Sequence, residues 1–317
     1  MGRMVVQTKT RSINHPTIRK PVPQLVPQFA QQSDWSTIRP TIRLAHNSPN
    51  NSPNNPKFMK GIILAGGSGT RLHPLTKVTS KQLLPIYDQP MIYYPLNTLL
   101  KAGIREILII VAPERSGDFL NLLGSGREFG ARFTYEIQDK PEGLAQAFRI
   151  GADFIGSDSV AMILGDNIFT DDFTNSVQSF KTGAKVFAKQ VHDPERFGVI
   201  ELVDGKVISV EEKPKAPKSN LAQVGLYIYD NRVVQYAKDL RPSARGELEI
   251  VDLNNKYLAN GELTAEVLNG EWIDAGTVES LYRASSVIRE HKLGLNGKDG
   301  LRVTIKKVEK VKEFKTI

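Results

Sequence analysis

Three short apolar runs constrain this chain more than any other feature. KGIILA (60–65), REILIIV (105–111) and VAMIL (160–164) are almost continuous in large aliphatic residues. A strand with one wet face alternates apolar and polar residues. An uninterrupted run is the pattern of a strand covered on both faces, as in a parallel sheet between helices. The covering helices are written between the runs. PMIYYPLNTLLKAG (90–103) is closed by Gly103, and EGLAQAFRIGADFI (142–155) sets Leu144, Ala147, Phe148 and Ala152 on one face. RFTYEI (132–137) reads as a further strand. The alternation predicts an α/β fold with a mostly parallel sheet in a three-layer α/β/α sandwich.

From residue 184 the texture changes. AKVFAKQV, FGVIEL, KVISVEEKP and AQVGLYIYD are closely spaced strands with hairpin turns such as Asp204-Gly205. Helices are expected over 231–239 and 247–259, a strand and turn over 264–276, and a last helix over 277–291. The first half reads as a nucleotide half and the second as a smaller β-rich part that caps a smaller ligand.

The first apolar run ends in Gly66, Gly67, Ser68, Gly69 and Thr70, followed by Arg71 and, ten residues on, Lys81. Glycines let backbone N–H groups approach a ligand closely, and concave arrays of such groups favour phosphate. Arg71 and Lys81 supply charge where a polyphosphate would lie. The loop is not a Walker A loop, because no Gly-Lys-Ser/Thr follows at the required spacing, and Leu72 stands where a dinucleotide fingerprint needs its third glycine. That substitution counts against an NAD-dependent dehydrogenase. A plain strand-to-helix turn remains the alternative reading of the glycines alone.

In doubly covered sheets, ligands sit beyond the carboxyl ends of the strands. Gly66, Gln138 and Asp166 all lie at such ends, so one crevice can gather them. Gln138 carries a donor and an acceptor, which suits a base edge. Asp166 in LGDN and Asp274 in EWIDAGT each follow an apolar strand, and one acid from each half can share a magnesium ion. The other readings are a turn-forming Asp-Asn pair and an N-cap region before Thr277. Glu211, Glu212 and Lys213 precede Pro214; they suit a sugar phosphate and its hydroxyls, or they are a solvated charge run. His73, His192 and His291 are isolated and carry no chemistry in this reading.

The net charge of +8 invites a nucleic-acid reading until it is divided: residues 1–57 carry +7 and 292–317 carry +5, which leaves −4 on 58–291. The basicity belongs to the ends. Residues 1–58, rich in Pro, Gln, Asn and Ser, read as a disordered basic extension, 59–291 as the folded domain, and 292–317 as a basic C-terminal tail. There is no cysteine, which excludes disulfides and thiolate nucleophiles and fits a reducing, cytoplasmic setting. No apolar run is long enough to span a membrane.

The motifs together resemble the sugar-phosphate nucleotidylyltransferases. The resemblance opens with GIILAGGSGTRLHPLTKVTSKQLLPIYDQPMIYYPLNTL. It continues in order through EGLAQAF (142–148), LGDNIF (164–169), VHDPERFGVIE (191–201), VEEKPKAPKSN (210–220), VGLYIYD (224–230), GELEIVDLN (246–254) and WIDAGTVESL (272–281). It is nearest the members that form dTDP-glucose from dTTP and glucose 1-phosphate. The same chemistry with UTP or another hexose 1-phosphate is the alternative. The resemblance implies a Rossmann-like nucleotidyltransferase fold and Mg²⁺-dependent in-line attack on the α-phosphate. It implies that Gly66 through Thr70 hold the nucleotide, Arg71 and Lys81 neutralise the triphosphate, and Gln138 and Gly143 contact the base. Asp166 and Asp274 would bind the metal. Asn167, Gly198, Glu212, Lys213 and the Val224 backbone would hold the sugar phosphate.

Val224 and Phe197 stand where the family usually has threonine and often tyrosine, which bears on sugar preference. Longer members continue past the last helix with helices that support a tetramer and a second, regulatory nucleotide site. Here the Lys-rich segment 292–317 stands in that place, so neither feature is expected, although another oligomer is compatible. A non-catalytic nucleotide-sugar-binding protein would have lost a charged site residue, and none is lost.

Overall fold

The computed structural model describes residues 59–291 of the 317. The extension 1–58 and the tail 292–317 lie outside the described residues. The strands are β1 (Met59–Ala65), β2 (Pro85–Ile86), β3 (Gln89–Pro90), β4 (Glu106–Val111), β5 (Arg132–Ile137), β6 (Ser159–Leu164), β7 (Asn167–Phe169), β8 (Ala184–Gln190), β9 (Gly198–Val203), β10 (Lys206–Glu212), β11 (Leu221–Tyr229), β12 (Leu263–Val267) and β13 (Trp272–Asp274). The helices are α1 (Tyr93–Lys101), α2 (Ser116–Leu123), α3 (Gln146–Ile150), α4 (Ala152–Ile155), α5 (Thr174–Gln178), α6 (Val233–Lys238), α7 (Ile250–Ala259) and α8 (Val278–His291).

The three apolar runs are β1, β4 and β6, and they pair in parallel as expected, β4 and β6 on either side of β1, with β5 outside β4. Both faces of these strands are buried. Ile62, Leu64, Leu108 and Ile110 point into one core with Phe148 and Tyr257; Ile63, Ala65, Ile107 and Ile109 point into another with Leu96 and Phe119. The helices of each core form the outer layers of the sandwich. A smaller cluster packs α8, through Ala284 and Ile288, on Ile86, Met91 and Ile273. The β-rich second half does not stand apart. β11 runs antiparallel to β6, and β8, β9, β10 and β12 extend the same sheet from it.

The chain order along the parallel strands decides where a ligand goes. From β1 the chain builds outward to β4 and β5, then returns to place β6 on the other side of β1. The connections on the two sides leave in opposite directions, which opens a crevice at the carboxyl ends of β1 and β6.

Two helical expectations are corrected. Residues 142–155 form two short helices broken at Gly151 rather than one. A Cβ at Gly151 would lie 2.9 Å from Leu108 Cδ2 and 3.2 Å from Ile62 Cδ1, so the backbone is pressed onto the sheet where a longer regular helix would have carried a side chain. The expected helix over 247–259 begins at Ile250, because Leu248 instead exchanges backbone hydrogen bonds with Glu142 and Ala145. The short elements α2, α5 and β7 carried no clear periodicity and were not expected. Among the described residues, no helix is long and apolar enough to cross a membrane.

Candidate active site

The crevice is floored by the ends of β1 and β6. Gly165 donates its backbone N–H to Leu64 O at 2.9 Å, which draws the chain after β6 against the glycine loop after β1. Gly67, Ser68 and Thr70 are exposed there, and Gly69 takes a left-handed φ of 63°. The loop folds back on the next segment, where Thr76 donates its hydroxyl to Gly69 O at 2.8 Å. Leu72 is fully buried, which is the physical reason a third glycine does not stand there. Gln138, at the end of β5, packs so tightly on Gly66 that a Cβ at 66 would lie 2.1 Å from its Oε1. A cleft of about 350 Å³ results, lined by Gly67, Arg71, Lys81, Gln138, Gly143 and Asp166 among others. Six of the expected residues are thus brought together.

Asp166 follows β6 by two residues, and Lys81 reaches it from 85 residues away to form an ion pair. Asn167 Nδ2 donates to the other carboxylate oxygen at 3.0 Å. Burial alone would raise the Asp166 carboxyl; the Lys81 ammonium and the hydrogen bonds from Lys81 and Asn167 outweigh it and hold the group below its ordinary value. β13 pairs antiparallel with β7 and sets Asp274 opposite Asn167, next to Asp166. Burial, and then the facing Asp166 charge, push Asp274 up to about 6, against the opposing pull of Lys81 and Arg71. Two carboxylates that repel in a dry place, without imidazole or thiolate beside them, make an oxygen donor set that suits magnesium. A divalent cation between them would relieve that repulsion. Among the described residues no cluster of three or more acidic, histidine or cysteine ligands occurs, which leaves the remaining positions to phosphate oxygens and water.

A larger cleft, of about 760 Å³, adjoins the first. Arg71 lines both, and Asp274, Phe197 and Trp272 line the larger one. The Phe197 and Trp272 rings meet edge to face, 5.3 Å between centroids. The other sugar-side candidates cluster around the β9–β10 hairpin, where Gly198 lies opposite Glu212 in register. Burial raises the Glu212 carboxyl, and Glu249 adds to it, while Lys213 and Arg245 oppose. Lys213 holds a left-handed φ of 44°, uncommon for a side-chain-bearing residue, and donates its N–H to Phe197 O at 2.9 Å.

Two candidates stand differently from the expectation. Val224 is fully buried inside β11, leaving its backbone as the part that could meet a ligand. Asn167 is 2 % exposed, and its side chain is engaged by Asp166, Gly225 and Trp272. Gly143 has a structural duty: its φ is 108°, and a Cβ there would lie 2.5 Å from the Leu248 backbone.

Sequence reasoning missed three residues. Gln82, buried beside Lys81, lines the smaller cleft. Arg245 lies 3.5 Å from Glu212 and 3.0 Å from Glu249. Gly276 admits Arg71, since a Cβ there would lie 2.9 Å from its Nη2. The GELEI and DAGT motifs were visible, but nothing local said which residue they would meet.

Comparison with known proteins agrees with the geometry. The nucleotidyl transferase family model matches residues 60–291. A glucose-1-phosphate thymidylyltransferase from Neisseria meningitidis is 56 % identical over 238 residues, 73 % of this chain and 83 % of that protein. The enzyme of the same name from Mycolicibacterium smegmatis is 53 % identical over 251 residues, 77 % of this chain and 86 % of that one. A solved Bacillus anthracis structure assigned to the same activity, with sucrose bound, superposes with a TM-score of 0.71 at 53 % identity, covering 74 % of this chain and 97 % of that one. A UDP-glucose pyrophosphorylase bound to UDP-glucose gives a TM-score of 0.65 at 26 % identity, covering 74 % of this chain and 99 % of the other. The chain belongs to the nucleotidyl transferase family, alongside the glucose-1-phosphate thymidylyltransferases.

Proposed function

We propose that this protein joins dTTP and glucose 1-phosphate into dTDP-glucose and pyrophosphate. One observation carries the reading: a phosphate-type glycine loop, two cations and two mutually repelling carboxylates converge at one topological switch point. The names borne by relatives of 53–56 % identity supply the substrates.

In this reading an oxygen of the sugar phosphate attacks the α-phosphorus. A new phosphorus–oxygen bond forms, the bond to the β-phosphate bridging oxygen breaks, and pyrophosphate leaves with the electron pair. The nucleophile is already an anion, so no side chain needs to take a proton. The barrier is repulsion between two anions and charge growing on the leaving group, which calls for fixed cations and alignment. Arg71 and Lys81 neutralise the triphosphate on the loop side. Lys213 meets the sugar phosphate, while Glu212 and Gly198 accept and accommodate the hexose. Gln138 and Gly143 border the base. Magnesium, held by Asp166 and Asp274, would supply Lewis-acid neutralisation of phosphate oxygens. The substrates are small and water-borne, which fits a cytoplasmic location.

Incubating the full chain with dTTP, glucose 1-phosphate and MgCl₂ and measuring pyrophosphate tests this. Release is expected with dTTP above other triphosphates; silence with every common triphosphate and hexose phosphate would overturn it. The fold shared with a UDP-glucose pyrophosphorylase favours UTP as the second reading, and faster turnover with UTP than dTTP would select it.

A further inference from the structure

We propose that Asn167 is a positioning residue that ties the carboxylate of Asp166 to the indole of Trp272, so that the metal acid and the aromatic wall of the larger cleft are held as one unit. The inference rests on the reading that Asp166 and Asp274 hold magnesium.

Asn167 lines neither cleft. Its Nδ2 donates to Asp166 Oδ1 at 3.0 Å. Its Oδ1 accepts twice, from Trp272 Nε1 at 2.6 Å and from the Gly225 backbone N–H at 3.1 Å. Both lone pairs of that oxygen are used. The fit is close, since a Cβ at Gly225 would lie 2.5 Å from Oδ1.

Few side chains can replace it. Asp accepts from the same two donors but has nothing to give Asp166 and adds a second negative charge beside it. Ser and Thr are too short to span both sides. Gln carries one methylene too many for the space against Gly225. The backbone adds a third link, because Asn167 pairs with Asp274 across the β7–β13 ribbon. Asp166 is then fixed at both oxygens, by Lys81 on one and Asn167 on the other. Residues that orient a metal-binding carboxylate influence metal affinity without touching the ion.

The consequence concerns Trp272, which makes its hydrogen bond to Asn167 rather than to either acid. Trp272→Phe keeps an aromatic ring against Phe197 but deletes the Nε1 donor that holds Asn167. If Asn167 transmits, this change, which alters neither carboxylate, weakens the magnesium response. The two tryptophans of the chain are Trp35 and Trp272, so a Trp35→Phe background makes Trp272 the one emitter.

The experiment uses the full chain and magnesium chloride alone as probe. Mg²⁺ is titrated against melting temperature for the parent, Asn167→Ala, Trp272→Phe and the double variant, and against Trp272 emission for the parent and Asn167→Ala. Each single change is expected to raise the half-saturating Mg²⁺ concentration about tenfold, and the double change no further than the larger single one. Asn167→Ala is also expected to shift Trp272 emission. An unchanged Mg²⁺ titration in Trp272→Phe, multiplying effects in the double variant, or unchanged emission in Asn167→Ala would each overturn the inference. If Asn167→Ala does not fold, the Trp272→Phe titration still decides. A parent chain with no Mg²⁺ response would instead sink the metal reading itself, so the two failures are distinguishable.

Discussion

Lys81 and Asp166, 85 residues apart, form an ion pair in which both side chains are nearly excluded from water. In the proposed reaction one partner serves the triphosphate and the other the metal, so a single contact joins two requirements. Breaking a buried pair by removing one partner leaves an uncompensated charge, which costs about 3 to 5 kcal/mol. Lys81→Ala is therefore expected to lower both melting temperature and turnover, the latter by about two to three orders of magnitude. The double variant Lys81→Ala/Asp166→Asn recovers melting temperature without recovering turnover. Calorimetry beside a pyrophosphate assay checks this, and recovery of both would show the pair to be structural only.

Gly276 tests how closely Arg71 is placed. A Cβ there would lie 2.9 Å from Arg71 Nη2 and 3.1 Å from Asp274 Oδ1, both ends of side chains rather than backbone. The side chains yield and the fold does not, so Gly276→Ala is expected to leave the melting temperature nearly unchanged. Displacing the guanidinium by a few tenths of an ångström to an ångström lowers turnover by about ten- to a hundredfold. Steady-state kinetics with an unperturbed circular dichroism melt is the measurement, and unaltered turnover removes Arg71 from the site.

Lys213 separates function from stability in the opposite sense. Its φ of 44° is a left-handed conformation that costs a side-chain-bearing residue about 1 to 2 kcal/mol and costs glycine almost nothing. Lys213→Gly is expected to melt no lower than the parent yet lose most turnover, whereas Lys213→Arg retains part of it. A Lys213→Gly protein with full turnover would assign the strained lysine no role in the reaction.

The parts of the site that could be read in advance share one property: the chemistry sits next to the element that positions it. Gly66–Thr70 and Asp166 each follow an uninterrupted apolar strand, and buried parallel strands end where ligands bind. The switch point followed once β1, β4 and β6 were identified as parallel neighbours. What stayed hidden depends on distant pairing. Arg71 meets Gly276 only because the β7–β13 ribbon returns the chain to the glycine loop. Arg245 meets Glu212 only because residues 246–248 are held against 142–145. The contacts of Asn167 were hidden for the same reason: its partners Asp166, Gly225 and Trp272 meet only when β7, β11 and β13 come together. The break at Gly151 escaped periodicity because the apolar spacing continues through it.

Asp230 gives the acid limb of stability. It directly follows β11, is 1 % exposed, and accepts from the Gly183 N–H and the Thr182 hydroxyl, each at 2.8 Å, from the Arg232 guanidinium, and from Tyr257 at 3.1 Å. Burial would raise this carboxyl, but the hydrogen bonds from Arg232, Gly183 and Thr182 prevail and hold it below the ordinary aspartate value of 3.8. A group whose folded value lies below its unfolded value binds its proton more readily when unfolded. Its contribution is complete above the unfolded value and is lost as pH falls through the folded one. Asp230→Asn is therefore expected to cost about 2 to 3 kcal/mol at neutral pH, the scale of charge-assisted hydrogen bonds lost. Below pH 3.8 the deficit against the parent narrows, because the parent gives up the same interactions on protonation. Urea titrations across that range measure both limbs. A deficit that stays constant into acid would mean Asp230 contributes through its shape and neutral hydrogen bonds rather than through its charge.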